Sequence, residues 1–446
     1  VASASGRAGI EATAHAAARF GPAALLGGTG LSVSTIGVAA SRLEHDDVLH
    51  ARALRMALDA GLNLVGVGPR GAGASVVGRV LAESIAAGGV SRDGVVIVAE
   101  LELASEASSD DALARSWADT VGALGVDALD VALLRVPTLA SIAGMRGAMA
   151  ALEARVDAGD LGAWGLAVPA LALRPGDSRR VELDAVLDAV AGSGRCAVLQ
   201  LPVNLLELGA TIAAEDRPSC LAAGAAAGLG LLGERPLRPL GASPLVDPRG
   251  EPPELATPLA VLRKLEARWA SDLGRALRIG GGDATDLFRW GQLLSQADAR
   301  PDDLDGWQRL RHDVIAPHVG QASAALLGHL QGEERLAFAQ WWREYGTALH
   351  TVFTAIERSL VRAPFGRRVG AAIDPALPES WRSLSLAARA VAVAVSSGVT
   401  AVMVGMRTPA AVADLLALRG VLPASVDVAA VAAALAPEAA QLAQDG

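Results

Sequence analysis

The segment that decides the fold runs from Val95 to Val136, with VVIVAEL at Val95–Leu101, DDALARSWADTVGAL at Asp110–Leu124 and DVALLRV at Asp130–Val136. The two outer runs are apolar and rich in Val and Leu. In the middle segment Leu113, Trp117, Val121 and Leu124 recur every three or four residues. A continuous short apolar run suits a strand buried on both faces, and the wider spacing suits one face of a surface helix. Strand, helix, strand in that order is the βαβ unit, whose helix carries the chain between parallel strands.

The same alternation extends in both directions. Further strand-like runs stand at Val33–Ala39, Leu62–Val67, Ala163–Val168, Ala197–Val203, Gly228–Gly233 and Ala401–Met406. Helical patterns stand between them at Asp46–Ala60, Ser75–Ala87, Ile142–Ala158, Leu183–Ala191 and Ser219–Ala227. The interval from strand to strand is about 30 to 36 residues, as βαβ units require. Eight strands at this regularity predict a closed α/β barrel, a (β/α)8 TIM barrel, in preference to an open doubly wound sheet.

The interval lengthens once. Residues 1–240 are expected to hold strands one to seven, 241–378 a helical insertion, and 379–446 strand eight with the C-terminal helices. The insertion opens on a Pro/Gly-rich linker, Pro244–Pro258, and continues with helical patterns at Leu259–Leu277, Leu287–Gln296, Trp307–Leu330 and Glu333–Val361. It also carries most of the aromatic residues, including Trp269, Phe288, Trp341 and Tyr345. The simple reading makes them anchors of a helical core; the alternative is an aromatic floor for a ligand. A connection after strand seven leaves the C-terminal face, where such barrels place their active sites. The insertion is therefore either a lid or a docking surface.

Composition narrows the function classes. A chain of 446 residues, 52% hydrophobic, can bury a large core, and its net charge of −9 without a clustered basic face argues against nucleic acid. No apolar run reaches the roughly 18 residues that span a membrane. Val1–Phe20 is Ala-rich, carries His15 and Arg19, and lacks the apolar core of a signal peptide. Cys196 and Cys220 have no CxxC spacing, which suits a reducing compartment. A soluble cytoplasmic protein is the expectation. The seven histidines show no HExxH or paired metal spacing, and Gly280–Gly282 is not followed by the GK[ST] of a phosphate loop.

Particular blocks then resemble one family. GGTGLSVSTIG at Gly27–Gly37 is similar to the opening hairpin and first strand of aldo-keto reductases. The likeness continues through ALDAGLNLVGVGPRGAGASVVG (Ala57–Gly78), ALGVDALDVALLRVP (Ala123–Pro137), MAALEARVDAGDLGAWG (Met149–Gly165), VLQLPVNLLE (Val198–Glu207), GLGLLGERPLRP (Gly228–Pro239) and GVTAVMVGMRTPAAVADLL (Gly398–Leu416). It covers nearly all of the barrel and almost none of the insertion, whose FRWGQLL and QWWREY segments are similar to a bacterial branch of that family. The resemblance implies a TIM barrel with an N-terminal hairpin, and NADP(H)-dependent carbonyl reduction. In that chemistry a Tyr donates the proton, a Lys paired to an Asp lowers its pKa, and a His orients the carbonyl.

Carried over residue by residue, these parts are missing. The family's Asp falls on Gly66, its Lys on Glu100 and its His on Arg135; its Tyr falls near Arg70, in PRGAG at Pro69–Gly73, where there is none. The chain has one tyrosine, Tyr345, and one lysine, Lys264, both in the insertion. The Ser-Asn pair that holds the nicotinamide amide becomes Ala167-Val168, while Gln200 and Asn204 remain. On the helix that serves the adenosine end stand Ala411, Asp414 and Leu415. Gly405, Arg407 and Thr408 still resemble a phosphate-side loop at a helix N-terminus, and Arg235 and Arg238 lie near the same rim. NADP binding is thus expected to be weak or lost.

The replacements suggest their own chemistry. Glu100 and Arg135 end neighbouring strands, so they are expected to form an ion pair plugging the vacated site; a general base with an anion clamp is the alternative. Gly66 and Gly68 are expected to leave space for a ligand or a segment of the insertion. The leading functional expectation is a noncatalytic binding or assembly module that engages a protein partner, such as an active relative, with a small-molecule ligand as a further candidate. Next come an NADP(H)-dependent oxidoreductase with a remodelled site, and lyase or cyclase chemistry using Glu100 and Arg135. Fold membership alone does not license activity.

Overall fold

The computed structural model describes residues 6–445, apart from 42, 44–47, 70–71, 103–109, 137, 139–141, 143, 175, 192–194, 214–216, 238–252, 274–277, 280–281, 284–286, 297–299, 302–303 and 424. Arg70, Arg238, most of the Pro244–Pro258 linker and two of the three glycines at Gly280–Gly282 therefore lie outside the described residues. The chain divides into two compact units, Val1–Pro244 with Val369–Gly446, and Leu245–Arg368.

The first unit is a closed, parallel, eight-stranded barrel. After a hairpin of β1 (Ala23–Leu25) and β2 (Ser32–Ser34), its strands are β3 (Ile36–Ala39), β4 (Leu64–Val67), β5 (Val96–Leu101), β6 (Leu129–Arg135), β7 (Leu161–Ala167), β8 (Cys196–Pro202) and β9 (Gly230–Glu234). A small hairpin in the second unit supplies β10 (Arg278–Ile279) and β11 (Gly282–Asp283), and β12 (Ala401–Val404) closes the barrel between β9 and β3. Each apolar run in the sequence falls on its strand because both faces are covered: inside by the other strands, outside by helices. In β6 every residue before Arg135 is buried.

Val33–Ala39 reads as one run but folds as two strands. Ser34 ends β2 and Ile36 begins β3, and the break is held by Asn63. The Asn63 side chain accepts from Ser34 N at 2.8 Å and donates to Ser32 O at 3.0 Å and Gly94 O at 3.2 Å. It is 3% exposed, so this network ties hairpin to barrel out of water. Where the hairpin turns, Gly27 has φ +52°, and a Cβ there would lie 2.1 Å from Gly230 N. Only glycine lets the hairpin close this tightly on the strand starts. The Ala-rich start, given no element in the sequence, forms the helix Ile10–Ala18, which packs on β2 with Ala17 fully buried.

Cys196 opens β8 and Cys220 opens the helix Cys220–Ala226. Burial pushes the Cys196 thiol up to about 12 and the Cys220 thiol up to about 11. Since the thiolate is the nucleophile, native protein at about pH 8 is expected to react slowly with a thiol reagent, and both thiols to react at once in denaturant. One equivalent of rapid labelling in the native state would contradict this.

The second unit is helical. Pro253–Arg268 runs on as a π turn, Trp269–Leu273; Trp290–Leu294 follows; Leu304–Arg309 continues through Leu310–Ile315 into Ala316–His329. A last helix, Gly332–Ile373, is longer than the Glu333–Val361 pattern and carries the chain back into the first unit. Trp269 sits at the centre of an aromatic core, with ring centroids 5.1 Å from Phe288, 5.8 Å from Phe338 and 4.8 Å from Trp341. All four are at most 1% exposed, so these rings are core anchors. No described helix is long and apolar enough to cross a membrane.

Candidate functional site at the barrel mouth

Side chains alternate between the two faces of a strand, so parity decides which residues enter the barrel. Val96 and Val98 on β5, Val131 and Leu133 on β6, Val198 on β8 and Leu232 on β9 form the interior core. One further step of two along each strand reaches Glu100, Arg135, Gln200 and Glu234. These four residues meet where the strands end.

Arg135 donates through Nε to Glu100 Oε1 at 2.6 Å and through Nη2 to Glu100 Oε2 at 2.9 Å. This two-point fork is the strongest geometry available to the pair. Arg135 Nη2 also lies 3.6 Å from Glu234 Oε2, which accepts from Gln200 Nε2 at 3.2 Å. The side chains of Glu100 and Glu234 are 15% and 14% exposed, against 44% for Arg135. Bonding to Glu100 raises the Arg135 pKa further, so its charge is fixed.

The ion pair foreseen at Glu100 and Arg135 is present. Glu234 was missed. The available signal was its parity with Leu232 at the end of strand seven, in GERP, where a charged residue must enter the barrel. Burial is the main cause of a Glu234 pKa above the usual carboxylate range; Arg135 pulls it down and Glu100 pushes it up. Next to it, Arg235 holds φ +61°, a left-handed backbone uncommon for a side-chain-bearing residue.

A raised carboxyl pKa makes the folded state bind its proton more tightly than the unfolded chain does. Glu234 therefore contributes stability below the ordinary Glu pKa, and this is lost as pH rises through the folded value. Glu234→Gln, which keeps the shape without the charge, is expected to stabilise the barrel by about 1 kcal/mol near pH 8. The gain should vanish in acid, where both states of the parent are protonated. Thermal melts across pH check it; a gain that grows in acid would reverse the assignment.

The other positions are placed as follows. Gly66 lies in β4, and the space expected beside it is taken: a Cβ there would sit 2.7 Å from Met403 Cε. At Gly68 a Cβ would be 3.0 Å from Ser41 Cβ. The sequence could not show that β12 sends a flexible Met into the gap. Ala167 and Val168 are fully buried and offer the mouth no polar side chain. Asn204, 1% exposed, closes its own turn, accepting from Leu206 N and Glu207 N at 3.0 Å each and donating to Glu207. Thr408 caps the helix Pro409–Leu416 by accepting from Ala411 N at 3.2 Å, beside exposed Gly405 and Arg407.

The lone tyrosine is accounted for inside the second unit. Tyr345 is fully buried, stacks on Trp341 at 4.8 Å, and donates to Glu266 Oε1 at 3.3 Å. Burial drives its pKa well above the usual phenol range. Lys264 is an exposed residue on Pro253–Arg268. Among the described residues no cluster of His, Cys, Asp and Glu could hold a metal ion.

No family model matches the chain. No curated protein matches it either. Among solved structures, a protein assigned to the aldo-keto reductases from Pseudomonas aeruginosa is 22% identical, over 49% of this chain and 80% of its own, at a TM-score of 0.38. The chain is similar to aldo-keto reductases. A glycerol dehydrogenase from Gluconobacter oxydans is 14% identical over 93% of this chain and 95% of its own, at a TM-score of 0.46. An aldose reductase from Schistosoma japonicum is 16% identical over 48% of this chain and 69% of its own, at 0.35.

The residues present do not fit the nicotinamide end of NADP(H). The Gln200 amide already donates to the Glu234 carboxyl, and the buried Ala167-Val168 pair brings no donor or acceptor side chain.

Proposed function

We propose that this chain is a noncatalytic relative of the aldo-keto reductases, whose barrel acts as a binding or assembly module in the cytoplasm. One observation carries the reading: the positions that would supply Lys and His hold Glu100 and Arg135, locked to each other by two short hydrogen bonds. A carboxylate whose two oxygens both take a guanidinium is a poor base, which also argues against lyase or cyclase chemistry at Glu100. The phenol that reduction requires is sequestered at Tyr345.

Calorimetric titration with NADPH and NADP tests this. No binding is expected up to about millimolar cofactor, a free energy near −4 kcal/mol being the weakest the titration resolves. Micromolar binding would overturn the reading in favour of an oxidoreductase with a remodelled site, which the exposed Gly405 and Arg407 beside a helix N-terminus would serve. The assembly role predicts a complex with a protein partner, such as an active relative, resolved by size and mass from the free chain.

A further inference from the structure

The Arg135 guanidinium is held along one edge. Nε and Nη2 face Glu100 and Glu234, while Nη1 has no hydrogen-bond or ion-pair partner among the described residues, and 44% of the side chain is exposed. On the neighbouring strand β7 the residue in register with Arg135 is Ala167, whose side chain ends at Cβ. The guanidinium thus keeps one unpartnered edge on a half-exposed side chain at the mouth.

We propose that the barrel mouth binds a small carboxylate at Arg135 Nη1, and that binding is coupled to uptake of a proton by Glu234. This deepens the binding reading above and rests on it.

The charges set the coupling. Glu100 on β5 neutralises Arg135 on β6, and an ionised Glu234 then leaves the cluster one charge negative. An incoming anion would make that two, in a site where Glu100 and Glu234 are mostly shielded from water. Taking a proton from solvent onto Glu234 removes one of those charges, so the bound state prefers Glu234 protonated. The other groups facing Glu234 are Gln200 on β8, Arg235 next in the chain and Glu207 after β8. Arg235 and Glu207 oppose each other in sign, leaving the balance with Arg135 and Glu100. Burial of Glu234 acts in the same direction as the anion. A monoanion adds one negative charge, which the proton on Glu234 offsets, whereas a dianionic phosphate would add two.

Dichloroacetate, which stays ionised throughout the range, is the probe, with inorganic phosphate as the second arm. Stabilisation is followed by thermal shift against chloride at matched ionic strength, and proton uptake by pH-stat. Dichloroacetate is expected to bind several-fold more tightly at about pH 5.5 than at about pH 7.5, taking up a fraction of a proton per site. Glu234→Gln should keep binding and flatten its pH dependence. Arg135→Met should lose binding, as should Glu100→Gln/Arg135→Met, which removes the Glu100 carboxylate together with its partner and guards against loss of folding. The proposal is overturned if the probe binds at neither pH, if both Arg135 variants bind it like the parent, if Glu234→Gln keeps the pH slope, or if phosphate binds more tightly. The cofactor titration fails or succeeds separately, since NADPH binding would sink the noncatalytic reading without altering the response to dichloroacetate.

Discussion

Asp130→Ala is expected to destabilise the barrel by about 3–5 kcal/mol, the range for removing one partner of a buried ion pair. Asp130 is 1% exposed and accepts four hydrogen bonds. Its Oδ1 takes Ala8 N at 2.6 Å and Arg92 Nη2 at 3.2 Å; its Oδ2 takes Ile97 N at 2.7 Å and Arg92 Nη1 at 3.0 Å. Arg92, 6% exposed, also donates to the carbonyls of Val95 and Ala128. One carboxylate thus joins the starts of β5 and β6 to the segment leading into the N-terminal helix. Its removal strands the guanidinium and two backbone N–H groups away from water. Urea unfolding followed by circular dichroism measures the loss, and the companion Arg92→Met/Asp130→Leu should recover much of it by removing both charges. A loss below about 1 kcal/mol for Asp130→Ala would mean that water reaches the pair.

The barrel was legible because its strands are buried on both faces and read as uninterrupted apolar runs. Legibility failed where a tertiary partner decides. Nothing local in Val33–Ala39 announces a break at Thr35; it comes from Asn63, brought in from the turn before β4. The helix Ile10–Ala18 was lost in alanine, whose small side chains give a weak apolar face. At the mouth, Glu100 and Arg135 were legible as a pair because adjacent parallel strands end side by side. Met403 beside Gly66 was not, since β4 and β12 are more than 330 residues apart and do not pair in the sheet. Glu234 stands at none of the positions to which the family resemblance points. Parity along β9 would have placed it.

Tyr345→Ala is expected to cost the Leu245–Arg368 unit about 3–5 kcal/mol, and Tyr345→Phe about 1 kcal/mol. The difference separates packing from chemistry. The ring lies 4.8 Å from Trp341 and 5.3 Å from Phe288, inside a core that also holds Trp269 and Phe338. Deleting it opens a cavity that rigid aromatic neighbours cannot collapse into. The hydroxyl contributes less. Glu266 keeps its bonds from Gly291 N at 2.6 Å and Gln292 N at 3.1 Å, through which it caps the start of Trp290–Leu294, so Phe removes one of three donors and leaves the cap in place. Hydrogen exchange resolved by mass spectrometry should place the loosening within the second unit, leaving protection of the barrel strands unchanged. If Phe proved as costly as Ala, the bond to Glu266 would be what organises that core. If Tyr345→Phe abolished any turnover the chain possessed, the phenol would have to be chemical and the noncatalytic reading would fall. A tyrosine held by its ring is instead a packing residue of the second unit's core.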